Sequence, residues 1–114
     1  LTVDGAWGSG SEKAYIKAIQ MALNDEYGEG LSEDGAWGPV TRSAISAHVL
    51  KRGDQNNYVA VLQIGLLAKG YNLTSVDAVF GSDTESKLIS FQKNEGLTAD
   101  GKAGLATMTI LAGR

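Results

Sequence analysis

Asp34-Gly35-Ala36-Trp37-Gly38 repeats, residue for residue, the pentapeptide Asp4-Gly5-Ala6-Trp7-Gly8. Two looser copies follow, Asp77-Ala78-Val79-Phe80-Gly81 and Asp100-Gly101-Lys102-Ala103-Gly104. Each copy has a Leu-Thr or Leu-Ser pair just upstream, at Leu1-Thr2, Leu31-Ser32, Leu73-Thr74 and Leu97-Thr98. Each also carries a hydroxyl seven residues past its Asp, at Ser11, Thr41, Thr84 and Thr107. Flanks shared on both sides exclude coincidence, so the chain is built from one recurring turn. In such a turn the Asp side chain bonds its own backbone downstream, and Gly supplies a positive φ.

A helix is expected after every copy. Ser9-Gly10-Ser11-Glu12 and Ser82-Asp83-Thr84-Glu85 have capping-box spacing, and Pro39 stands at a first helical position. Apolar residues then recur with helical period: Tyr15, Ala18, Ile19, Ala22 and Leu23; Ala44, Ile45, His48 and Val49; Leu88 and Phe91. Gly28, Gly53 and Gly96 are placed to end these helices. Asp54 is expected to cap a further helix carrying Val59, Leu62 and Leu66, which stops at Gly70. A short fifth helix runs from about Leu105 to Leu111. The fold class is therefore all-α, five helices joined by Asp-Gly turns, with Trp7, Trp37 and Phe80 as pegs beneath the turns.

A second regularity sets the organisation. Gln20 lies 14 residues before Asp34 and Gln63 lies 14 before Asp77, and Ile19/Leu62, Leu23/Leu66, Trp37/Phe80 and Thr41/Thr84 match at the same 43-residue offset. Two units follow from this: residues 1–52, divergent or truncated, and residues 55–114, which hold helix, turn, helix, turn and short helix. At 114 residues the chain is one small domain or two very small units packed together.

Composition removes several function classes. A formal charge of −3 gives no drive toward phosphate backbones or anionic lipid, so neither nucleic acid nor membrane is an expected partner. The longest apolar stretch is broken by Gln63, Gly65 and Lys69, which rules out a spanning helix of ordinary length. No secretory leader is read at Leu1, so any such address is expected upstream or not at all. Without cysteine and with one histidine there is no thiolate nucleophile and no zinc cluster, and no cofactor, metal or catalytic residue is expected.

The series Val61-Leu62-Gln63, Leu66, Gly70-Tyr71, Val76-Asp77, Phe80-Gly81, Thr84, Phe91-Gln92, Gly96-Leu97, Asp100-Gly101, Gly104 and Thr107 closely resembles the type 1 peptidoglycan-binding domain. That family is a three-helix module whose turns read D-G-x-F-G-x-x-T and D-G-x-x-G-x-x-T. The resemblance covers residues 58–111 and, more loosely, 1–50. It departs at Ala78, where the family has Gly and a different turn geometry is expected, and after Trp37, where His48-Val49 replaces the Phe-Gln pair. It implies two tandem, non-catalytic copies that bind bacterial peptidoglycan and hold a covalently linked catalytic domain on the wall. The implied parent is an endolysin, autolysin or amidase, phage-encoded or bacterial, acting in the cell wall or outside the cell.

The alternatives are a small peptidoglycan hydrolase and a helical protein-interaction repeat. The first needs a carboxylate pair across a cleft, whereas Asp25, Glu26, Glu29, Glu33 and Asp34 fall in one loop. The second needs a contiguous exposed apolar patch. His48, lacking ligand partners at helical spacing, reads as a packed histidine, and the lone Asp of each turn as a turn former. Ligand contacts are expected from polar and aromatic residues: Tyr27, Tyr71, Asn72 and the pair Gln20 and Gln63. Gln92 either satisfies buried backbone or faces the ligand.

Overall fold

A computed structural model describes residues 9–73 and 75–113. Five helices follow one another: α1 Ser9–Tyr27, α2 Pro39–Ala47, α3 Asn57–Ala68, α4 Ser82–Asn94 and α5 Leu105–Leu111. The fold is all-α as expected. Among the described residues, extended pairing is confined to two isolated antiparallel bridges, Leu50 with Ala103 and Gln55 with Val79. The first copy of the turn, with Asp4 and Trp7, lies outside the described residues, as do the side chains of Ser9, Ser11 and Glu12 and residue Thr74.

α3 is apolar on nearly every side, the composition of a helix surrounded by others. Tyr58, Val59, Val61, Leu62 and Leu66 are all buried. α1 lies against α3, and Gly65 makes the approach possible: the Tyr15 ring stands where a side chain at residue 65 would begin. The Tyr15 hydroxyl donates to the Val61 carbonyl at 2.8 Å, and burial pushes this phenol well above its ordinary pKa. One apolar cluster joins Ile16, Ile19 and Leu23 of α1, Ile45 of α2, Leu62 of α3, Leu88 and Phe91 of α4, and Met108 and Leu111 of α5. Phe80 is buried in this cluster as a peg beneath its turn, whereas Trp37, expected in the same role, is only part-buried at its edge.

Three terminus assignments need correction. α2 stops at Ala47 with His48 as its C-cap, not near Gly53, because the following Leu50 is drawn into the bridge with Ala103. The N-cap of α3 is Asn56, whose side chain accepts from the Val59 N–H at 3.0 Å, while Asp54 instead accepts from the Lys51 N–H at 2.9 Å. The capping box at Ser82 does not form, since Ser82 is already helical and the extended Gly81 is the N-cap. α2 and α5 begin the same way, from extended Gly38 and Gly104 without a side-chain cap.

The turn at Ala78 keeps the geometry of its glycine counterparts, contrary to expectation. Ala78 has φ +63°, against +73° at Gly35 and +71° at Gly101. An L-residue held there costs roughly 1–2 kcal/mol. Ala78→Gly should therefore raise stability, by up to about 1 kcal/mol once the added chain entropy of glycine is subtracted. The reverse change, Gly35→Ala, should destabilise by more than the backbone term alone. Its new Cβ would meet Lys13 Cγ at 2.5 Å and the Lys13 carbonyl oxygen at 2.8 Å. Urea denaturation of the two variants checks both signs.

Candidate functional site

Each of the three described turns is closed by one buried glutamine. Gln20 of α1, Gln63 of α3 and Gln92 of α4 are each 1% exposed. In each, the amide oxygen accepts from the backbone N–H of the second turn residue: Gly35 at 2.8 Å, Ala78 at 3.0 Å and Gly101 at 3.0 Å. The amide nitrogen donates to the turn's Asp Oδ1, at 3.2 Å for Asp34, 3.1 Å for Asp77 and 3.3 Å for Asp100. It also reaches the carbonyl of the third turn residue, Ala36, Val79 or Lys102, at 2.8–3.0 Å. A last bond goes to the hydroxyl of Thr41, Thr84 or Thr107 in the first turn of the next helix, at 3.0–3.2 Å. The Asp Oδ1 accepts in addition from the N–H two residues on, at 2.9–3.0 Å. The Asp therefore forms the turn, and the Gln pins it to the preceding helix.

Expected as polar ligand contacts, Gln20 and Gln63 are instead buried and bonded internally, as is Gln92. All three amides point inward and are fully occupied by turn backbone, Asp and Thr, so none offers a polar group to a ligand. For Gln92, the alternative of satisfying buried backbone is the one observed. The paired 14-residue spacings were the available signal, since a Gln held at fixed distance from a turn Asp is what a clasp requires.

The other candidates lie in two separate places. Tyr27 is half-buried at the end of α1, its ring stacked on His48 with centroids 3.7 Å apart and edge-on to Tyr58. Its hydroxyl accepts from Asn56 Nδ2 at 3.0 Å. His48 Nε2 in turn contacts the Glu29 carboxylate at 2.5 Å, so this histidine is packed and bonded. Tyr71, also half-buried, meets Phe91 edge-on, and its hydroxyl accepts from Asn94 Nδ2 at 2.7 Å. Asn72 beside it is exposed. Three carboxylates of the α1–α2 loop region tie the chain together: Glu26 accepts from the Asn57 N–H, Glu33 from Asn24 Nδ2, and Glu29 holds His48.

Beside the second and third turns open two grooves, of 290 and 250 Å³. They are repeat-equivalent: Ser32, Asp34, Gly38 and Thr41 line one, and Ser75, Asp77, Gly81 and Thr84 the other. An exposed valine stands at each, Val40 and Val79. Asp34 and Asp77 are held below the usual carboxylate pKa, first by the N–H groups of Ala36 and Val79 and then by the Gln amides.

Two outcomes follow from the clasp. Gln63→Leu keeps the volume but strands the Ala78 N–H and its partners, so a urea melt should show a loss of about 3 kcal/mol, the penalty for a few unsatisfied buried groups. A depressed folded pKa stabilises the protein above the unfolded carboxylate value and loses that contribution as pH falls through the folded one. Stability should therefore be flat from neutrality to about pH 5 and fall below about pH 4. In Asp34→Asn with Asp77→Asn, thermal melts across pH should show a shallower acid limb.

Comparison with known proteins accords with this architecture. Residues 55–111, α3 to α5 with their two turns, match the family of peptidoglycan binding domains. A spore cortex-lytic enzyme of Bacillus cereus is 40% identical over 68 residues, 60% of this chain and 26% of the enzyme. The N-acetylmuramoyl-L-alanine amidase CwlM of Mycobacterium tuberculosis is 33% identical over 93 residues, 72% of this chain and 23% of the amidase. The chain thus spans about a quarter of these relatives' length. The crystal structure of a peptidoglycan-binding protein from Clostridioides difficile, in complex with glutamine hydroxamate, shares 40% identity at a TM-score of 0.56, covering 59% of this chain and 42% of that one. With half its length matched, and every turn there clasped by a Gln on the preceding helix, the chain belongs to the peptidoglycan-binding domain family.

Proposed function

We propose that this chain is the wall-anchoring part of a larger cell-wall hydrolase, binding peptidoglycan through two tandem copies of one unit, residues 1–52 and 55–114. The observation that carries the reading is the family match, together with named relatives that are lytic enzymes far longer than the stretch they share with this chain. Cutting then belongs to a linked catalytic domain. This part keeps that domain at high effective concentration on an insoluble substrate, and two copies add avidity where both reach the wall. The site of action is the cell wall or the space outside the cell. An autolysin-type parent agrees with the bacterial sources of the relatives, and a phage endolysin is the variant that the same module also fits.

The repeat-equivalent grooves beside Asp34 and Asp77 support two-copy binding, because each presents the same polar wall and an exposed valine. Tyr27, Tyr71 and Asn72 are the candidate ligand contacts that keep exposed surface. Gln63 and Gln92 act on binding only through the fold. Purified chain should co-sediment with sacculi and leave their turbidity, reducing ends and free amino groups unchanged. Failure to sediment overturns the binding reading, and release of reducing ends or amino groups overturns the non-catalytic one.

A further inference from the structure

The bridge between Leu50 and Ala103 creates a surface that neither repeat has alone. The Leu50 N–H donates to the Ala103 carbonyl at 3.1 Å, and the Ala103 N–H to the Leu50 carbonyl at 2.8 Å. Because this antiparallel pair exchanges both bonds, the flanking pairs, Val49 opposite Gly104 and Lys51 opposite Lys102, are the ones whose side chains stand closest. Leu50 and Ala103 are wholly buried, so strand alternation turns their neighbours outward. The Cβ position of Gly104 accordingly lies 3.6 Å from Val49 Cγ2. The outward face belongs to a groove of 590 Å³ lined by Ala47, Val49, Lys51, Asp100, Lys102 and Gly104.

Two like charges directly opposite each other across a ribbon repel. Two carboxylates lie near this pair, Asp54 and Asp100. Lys51 has a loose contact with Asp54 at 3.8 Å, its side chain 62% exposed, a geometry worth little in water. Asp100 is nearer the groove, but its Oδ1 is engaged by the Gln92 amide and the Lys102 N–H. The described residues give the Lys102 ammonium no ion pair. Two lysines and one carboxylate, Asp100, line the groove beside Ala47 and Val49, a net positive lining in a chain of net charge −3 that suits an anion with a small apolar flank.

We infer that the seam groove seats a free carboxylate of a peptidoglycan stem peptide, held between Lys51 and Lys102 with an alanine-sized methyl group against Val49. This rests on the wall-binding reading. Within the wall it selects the peptide over the peptide-bearing glycan, whose lactyl carboxyls are tied up as amides and carry no charge. It also assigns the N-terminal repeat a role in recognition, since half of the groove comes from Ala47, Val49 and Lys51.

The test uses the full chain, with calorimetric titration of a disaccharide-tetrapeptide muropeptide and of the same compound with its carboxylates amidated. Wild type should prefer the free acid by about tenfold or more, the worth of one charge-assisted hydrogen bond. Lys51→Gln with Lys102→Gln should lose that preference while melting at or above the wild-type temperature, because the repulsion is removed. Lys51→Arg with Lys102→Arg should retain it. Equal affinity for acid and amide, or an unchanged preference in the double Gln variant, overturns the inference, as does sedimentation of wild type with chitin, a glycan without carboxylates, equal to that with sacculi. Failure of wild type to sediment with intact sacculi would instead sink the underlying wall-binding reading.

Discussion

A primary amide placed inside a helical core is the constraint on which the rest of this structure depends. Desolvating an amide without partners costs on the order of a few kcal/mol, and the penalty disappears only when donor and acceptor are matched at once. At Gln20, Gln63 and Gln92 the matching set is the same each time: one turn N–H, one turn carbonyl, an Asp oxygen and a Thr hydroxyl. These groups come from a helix, from the loop after it and from the first turn of the next helix. One side chain therefore fixes the position of three successive pieces of chain. A fully satisfied buried network of this kind specifies geometry more strictly than apolar packing does, because a slip of register leaves a polar group stranded.

The strictness explains a local feature that would otherwise be unfavourable. The N–H of the second turn residue reaches the Gln oxygen only from a left-handed backbone, so Ala78 is held at φ +63° where glycine would be easier. At this position a local preference worth roughly 1–2 kcal/mol yields to a network with several buried bonds. The three Thr hydroxyls in the first helical turns bond the Gln amides, and the helices start from Gly38, Gly81 and Gly104, which have no side chain to cap with. Apolar burial then follows from the clasps. Phe80 is delivered into the core by its turn, and Tyr15 reaches across to α3 at Gly65.

The fold was largely legible in the sequence because its signals are local. Repeated turns, glycines past helix ends and helical spacing of apolar residues locate five helices, and α5 lies where the pattern put it, at Leu105–Leu111. The misreadings occur where a distant partner decides or where neighbouring side chains compete. The end of α2 depends on Leu50 meeting Ala103, more than 50 residues away, whereas the cap of α3 is a local choice between neighbouring side chains, Asn56 over Asp54. Gln20 and Gln63 read as polar ligand contacts, and Gln92 reads equally as a ligand contact or as a partner for buried backbone, because sequence alone does not say which way a polar side chain faces. Their burial follows from tertiary bonds that periodicity does not encode. Tyr27 and Tyr71 were singled out as exposed aromatics, yet each is braced on one side by another ring and by an Asn amide.

The repeated polar residues are bonded internally, so the clasps serve the fold, and the surfaces beside them are where the turns differ. Val40 and Val79 stand at equivalent grooves but at different places in the turn, so the grooves share their polar walls and differ in apolar shape. At the seam, Leu50 and Ala103 form a doubly bonded bridge, and Lys51 and Lys102 line one groove beside it. The same clasp can therefore be copied along a chain without change while its surroundings vary, because all its bonds are made to the turn it closes and to the first turn of the next helix.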